Sequence, residues 1–287
     1  MRKYEVAKFY DKNMSLIITN DIVVIDVEIP SIPFENKWTG GDDGIIPIHQ
    51  GVDIKQREIK VTTMMEAYDV PDYYLSRSEL YAIFGYGVPF YLVLNNESGK
   101  RYKIILDDSY LPERLLPTMG RIEIPFITTE LPYAESIGTT SDIQKNGLSA
   151  DDGMWSFGMG LESVDDALKY THQLPRFSRM DFKIYNAGNI PIHPFQQQLI
   201  IKITNVKGST DYLELVNKTN GSVFRVTEKV TNGQTVLIDG PNITINSLQS
   251  FRKTTRKYIE LNTGWNDFEI KGATSAQVEF DFRFYYS

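Results

Sequence analysis

The clearest pattern of apolar and polar positions lies at the end of the chain. There Val278, Phe280, Phe282 and Phe284 alternate with Glu279, Asp281 and Arg283, as in a strand with one buried and one solvated face. Upstream, apolar and β-branched runs fall near 182–185, 198–206, 212–217, 222–228, 235–239, 242–246, 258–261 and 266–270. Asn220-Gly221, Asn232-Gly233, Gly240-Pro241, Thr263-Gly264 and Lys271-Gly272 punctuate them. Many short strands with turn dipeptides between them predict a β-sandwich over 181–287.

The first part of the chain predicts strands and one helix. Strands are expected at 22–29, 58–64, 90–94, 102–106 and 121–127, with Ile59 and Val61 on one face of the second and Ile122, Ile124 and Phe126 on one face of the last. Asn95 to Gly99 reads as a hairpin turn. A helix is expected at 71–84: Pro71 suits its first turn, Tyr73, Leu80, Tyr81 and Phe84 share a side, and Gly85 and Gly87 end it. Pro33 and three glycines, with Pro30 just before them, make 31–44 a long loop. This gives a first domain over 1–136 and a connector over 137–180, with a short helix near 163–170.

Composition narrows the class. The chain has 287 residues, enough for two domains, with 41% hydrophobic and 23% charged residues, 17 Tyr and 15 Phe. That is globular and strand-favouring. It has no cysteine, which excludes disulfides, thiolate metal sites and cysteine nucleophiles. No secretory signal or membrane span is read, so membrane insertion is not expected. Residues 1–180 carry 18 Lys/Arg against 27 Asp/Glu, and residues 181–287 carry 12 against 10. An acidic N-terminal part is a poor grip for nucleic acid.

Candidate chemistry is sparse. Ile-Pro-Ile-His occurs twice, ending at His49 and at His193, in a chain with three histidines. A zinc site needs three ligands, usually with a close pair. Neither histidine has such a partner in sequence, and the flanks share nothing that would mark a duplication. The two are expected in different domains, binding no metal together. Thr39 to Gly44 lacks the Lys-Ser/Thr of a phosphate loop and the spaced ligands of a calcium loop. Asp107-Asp108, Asp151-Asp152 and Asp165-Asp166 are neighbours in sequence, which point apart on a strand rather than face each other across a substrate. No catalytic residue, cofactor or metal is expected. Trp155 and Phe157, set among glycines, suit stacking on a sugar or a neighbouring subunit, although burial in the chain's own core is the commoner fate of such rings. The basic group around Arg252 and Arg256 suits an acidic partner or a solvated loop.

The order of several motifs resembles the distal tail protein family of siphophages. In the first half these are Gly41-Asp42-Asp43-Gly44, the strand from Arg57 to Val61, the helix from Tyr73 to Phe84, Gly99 to Lys103, and the exit from Leu131 to Ser136. In the second they are Tyr185 to Asn189 followed by Pro191, Leu261 to Asn266, and the amphipathic last strand. The resemblance implies a mainly β chain: a β-rich ring-forming domain with one helix, then a galectin-like β-sandwich. It implies a non-enzymatic homo-hexamer at the tail tip, assembled in the host cytoplasm and carried in the virion. Its implied partners are the tail tube protein, the tail-associated lysin or tail spike hub, and a receptor-binding or upper baseplate protein. DNA would pass through the ring without specific binding, helped by acidic charge. Partner contacts are expected at Trp38, Gly41, Asp43, Trp155, Phe157, Arg252 and Arg256. The alternative from another class is a sandwich that recognises host-surface glycan, and a weaker one is a hydrolase with an unrecognised carboxylate pair.

Overall fold

A computed structural model describes residues 5–17, 21–40, 46–85, 87–149, 153–162, 168–175 and 180–287. The protein is mainly β and divides into two compact units, Met1–Ala134 with Ser287, and Glu135–Tyr286.

In the first unit the strands are β1 (Ala7–Tyr10), β2 (Ile22–Glu28), β3 (Phe34–Thr39), β4 (Ile48–Ile54) and β5 (Glu58–Glu66), then helix α1 (Val70–Ile83). β6 (Phe90–Leu94), β7 (Lys100–Leu106), β8 (Glu113–Leu116) and β9 (Met119–Thr128) follow. The main antiparallel sheet runs β1-β6-β7-β9-β5-β2, and β8 folds back on β9. The longest pairing, β5 with β9, runs from Glu58↔Ile127 to Glu66↔Met119. It buries Ile59, Val61, Ile122, Ile124 and Phe126 together, as their alternation requires. α1 starts where the Asp69 side chain accepts from the Asp72 N–H, with Pro71 in the first turn. Its buried residues are Tyr73, Ser76 and Leu80, while Tyr81, expected on that stripe, is exposed. Phe84 caps the helix and closes an aromatic cluster with Phe9 (4.8 Å), Phe126 (5.2 Å) and Phe90 (5.3 Å).

The expected loop over 31–44 is corrected. Phe34–Thr39 is a strand, and it pairs with β4 as a separate two-stranded ribbon. The prolines and glycines that suggested a loop bracket a short alternating segment instead.

β10 (Ala134–Ser136) begins at the boundary, and the second unit then contains helix α2 (Thr140–Asn146), β11 (Thr171–Leu174), β12 (Asp181–Asn186), β13 (Leu199–Lys207), β14 (Leu213–Asn217) and β15 (Val223–Val226). It continues with β16 (Val236–Asp239), β17 (Asn242–Ile245), β18 (Leu248–Gln249), β19 (Gly264–Lys271), β20 (Ser275–Phe282) and β21 (Tyr285–Tyr286). One sheet runs β11-β20-β13-β16-β17-β18 and the other β12-β19-β14-β15. Their inner faces meet in a sandwich: Phe182 and Phe268 from the second sheet reach Phe280 of the first at 6.1 and 5.1 Å. The stretch expected as connector supplies α2 and edge strand β11 to this unit. α2 is fixed by a reciprocal capping box between Thr139 and Asp142. The helix expected near 163–170 falls largely outside the described residues.

One expected strand is corrected. Residues 258–261 alternate in burial, with Ile259 and Leu261 inside, but make only an isolated bridge at Leu261 to Ile192. Side chains replace the ladder. The Glu260 carbonyl accepts from Asn217 Nδ2 (2.9 Å) and Asn220 Nδ2 (3.0 Å), and its N–H donates to Ser222 Oγ (3.1 Å).

Candidate functional site

The first unit carries two exposed surfaces rich in apolar and aromatic side chains. One is the β3–β4 ribbon, in which every residue of β3 is exposed. Phe34 lies opposite Ile54 and Asn36 opposite Val52; after a one-residue shift at Lys37/Trp38, Trp38 lies opposite His49. His49 Nε2 is 3.1 Å from Asn36 Oδ1, and its ring is 5.0 Å from that of Trp38. These groups therefore share a face with Phe34, Val52 and Ile54. The other face is ionic. Lys37 pairs with Asp53 at 2.6 Å and Lys55 with Glu35 at 2.9 Å. Hydrogen bonding to Lys37 holds the Asp53 carboxyl below its usual range, and hydrogen bonding to Glu35 pushes the Lys55 ammonium up. The ribbon is thus amphipathic, with its apolar face uncovered.

The second surface is the outer side of α1 with the segment leading into β8. The Arg114 guanidinium stacks over Tyr73 (5.0 Å) and Tyr74 (5.5 Å) and donates to the Tyr74 hydroxyl at 3.3 Å. Arg77 lies over Tyr74 at 4.9 Å, and its Nε is buried without an acceptor among the described residues. Tyr81 meets Tyr110 at 5.4 Å. The Tyr110 hydroxyl donates to the Leu80 carbonyl, and burial pushes its phenol up to about 12. Leu75, Leu111, Leu115 and Leu116 are exposed around this aromatic and cationic patch.

The residues expected at partner contacts have different fates. Trp38 is exposed on the ribbon. Gly41 and Asp43 lie outside the described residues. Trp155 is corrected: it is only 6% exposed, packed against Gly138 and tilted on Phe284 at 6.1 Å, so its ring serves internal packing. Phe157, two residues on, is 88% exposed. Arg252 is exposed in a single 3₁₀ turn, and Arg256, with φ of 57°, lies over the Phe251 ring at 5.1 Å. The α1 patch was missed in the sequence, although Tyr74, Arg77 and Tyr81 were visible there at helical spacing.

The three histidines are split between the two units. His49 belongs to the first unit and His193 to the second, where its Nε2 is 3.6 Å from Glu260 Oε1. The third, His172, rests its ring on Phe182 at 4.8 Å, and burial holds it below the usual histidine range. Among the described residues no three of His, Asp and Glu form a group that could hold a metal ion.

The motifs that carried the family resemblance in the second half are buried turn networks. Asn266 Oδ1 accepts from Asn217 Nδ2 (3.0 Å) and the Asn262 N–H (2.9 Å), while its Nδ2 donates to the carbonyls of Asn262 (2.9 Å) and Gly264 (3.1 Å). Asn186 Oδ1 accepts from the Gly188 N–H and its Nδ2 donates to the Ile190 carbonyl, both at 3.1 Å. A Cβ on Gly188 would sit 2.5 Å from the Tyr285 carbonyl oxygen, so glycine is needed there for close approach. These residues specify a fold rather than a reaction.

Residues 14–128 match the phage tail protein RIFT-related domain family. No curated protein matches the chain. Among solved structures, the SPP1 Dit (gp 19.1) protein, described as a paradigm of the hub adsorption apparatus in phages infecting Gram-positive hosts, superposes with a TM-score of 0.67 at 11% identity. The match covers 98% of this chain and 100% of that one. Two phage p2 baseplate structures in the activated conformation, with Sr and with Ca, align at 12% identity over 96% of this chain and 97% of that one. Their TM-score of 0.41 is too low to establish a shared fold. Residues 14–128 are thus similar to the phage tail protein RIFT-related domain family, and over its length the chain has the fold of the SPP1 Dit protein.

Proposed function

We propose that this chain is a distal tail protein that acts as a non-enzymatic adaptor hub. Six copies close into a ring at the tip of a siphophage tail. The ring joins the tail tube protein to the tail-associated lysin or tail spike hub and to a receptor-binding or upper baseplate protein. The first unit builds the ring around a channel for DNA, and the second unit, a galectin-like sandwich, docks the other baseplate components. The acidic balance of residues 1–180, 18 Lys/Arg against 27 Asp/Glu, favours DNA passage without adhesion. The protein is carried in the virion after assembly in the host cytoplasm.

The observation that carries this reading is the fold agreement with the SPP1 hub protein across 98% of this chain and all of that one. The two uncovered surfaces of the first unit support it, because exposed apolar patches of this kind mark assembly sites. Of the two rings that suited sugar stacking in the glycan alternative, Trp155 is buried and Phe157 is exposed. Light scattering on the purified protein tests the proposal. A sixfold multiple of the 32.9 kDa chain mass is expected, whereas a monomer that persists with tail tube protein present refutes the hub reading.

A further inference from the structure

The two uncovered surfaces of the first unit are unlike each other, and that difference bears on how copies meet. The ribbon offers Phe34, Trp38, Val52 and Ile54 on a thin two-stranded blade. Such a blade is marginal in water without something to pack on. The α1–β8 surface is broader. It offers Leu75, Leu111 and the Tyr74, Arg77, Tyr81 and Arg114 stack.

We infer that the apolar face of the β3–β4 ribbon of one copy packs on the α1–β8 surface of the next copy. This inference rests on the ring reading and specifies its contact. A two-fold dimer needs one self-complementary patch, whereas a ring needs two different patches that fit each other. The first unit has two. Phe34, Trp38, Val52 and Ile54 are 63%, 58%, 49% and 54% exposed, which at ~150–250 Å² per large apolar side chain is on the order of 400–500 Å², and Asn36, His49 and the strand backbones add polar area. The total approaches the ~800 Å² that each side of a standard interface buries. The receiving surface has the composition of an interface hot spot, with tyrosine and arginine fixed by mutual stacking.

Complementation between variants tests the contact. Trp38→Glu spoils the ribbon and keeps the α1–β8 surface, and Leu75→Glu does the reverse. Both sites are exposed, and circular dichroism melts matching wild type confirm that the variants fold. Phe34→Asp and Leu111→Asp serve as a second pair. At a concentration where wild type is a ring, each variant alone is expected to weigh 32.9 kDa by light scattering, and an equimolar mixture is expected to weigh twice that and no more. A single intact junction then forms between one good ribbon and one good α1–β8 surface. A mixture that remains monomeric overturns the pairing. Rings that persist in either folded variant overturn the contact and leave the ring reading in place. A wild-type chain that stays monomeric with tail tube protein present overturns the ring reading itself.

Discussion

Replacing Trp155 by alanine separates a packing role from a partner-contact role. The side chain is 6% exposed, lies against the backbone of Gly138 and tilts on Phe284. Removing a buried tryptophan costs about 3–5 kcal/mol in lost transfer energy and cavity formation. Against that, the indole N–H has no acceptor among the described residues, so its removal relieves on the order of 1 kcal/mol of desolvation. The net expectation is a loss of about 2–4 kcal/mol, and at ~2–4 °C per kcal/mol for a unit of this size the melting point falls by on the order of 10 °C. Trp155→Phe keeps the aromatic packing and removes the unsatisfied N–H, so it is expected to stay within ~1.5 kcal/mol of wild type. The assay is thermal and denaturant unfolding followed by near-ultraviolet circular dichroism. An alanine variant that melts with wild type but fails to bind a baseplate partner would show that the ring is a surface contact and that the packing argument is wrong.

Three further outcomes follow from the second unit. Asn266→Ala leaves the Asn262 N–H and the Asn262 and Gly264 carbonyls without their side-chain partner, and a loss of ~2–4 kcal/mol in chemical denaturation is expected; a change under 0.5 kcal/mol contradicts the network. Gly188→Ala drives a methyl into the Tyr285 backbone and is expected to cost at least ~1–3 kcal/mol, and a neutral result shows that the turn has room. Burial depresses the His172 pKa, so the unfolded state binds its proton more readily. Stability from this group is therefore complete above the unfolded value of about 6.5 and is lost as pH falls towards the folded value. Melts between pH 7.5 and 5 should show the slope, and His172→Gln should remove it; an unchanged slope assigns the effect to other groups.

The sequence was most legible where one face of a strand is buried and the other is wet. The last strand shows this, and so does β9, because alternation along each reports the core directly. It was least legible where side chains stand in for backbone. Residues 258–261 have the burial pattern of a strand, but Asn217, Asn220 and Ser222 take the hydrogen bonds that a neighbouring strand would make. The ribbon was hidden for the opposite reason. Its alternation, Phe34, Asn36 and Trp38 on one face, is only six residues long and sits between prolines and glycines that signal loops. α2 announced itself by a Thr139 to Asp142 capping spacing that a short, weakly apolar segment made easy to pass over. Of the residues expected to contact partners, Trp38 was placed on an exposed surface and Trp155 was not. A large aromatic among glycines has the same appearance in sequence whether it faces solvent or core.

The central claim is that the chain assembles into a closed six-membered hub ring. Negative-stain electron microscopy of the wild-type protein, alone and with tail tube protein, tests it most directly. The account predicts class averages of a ring with six-fold symmetry and an open centre. Particles of single-chain size in both samples would contradict it.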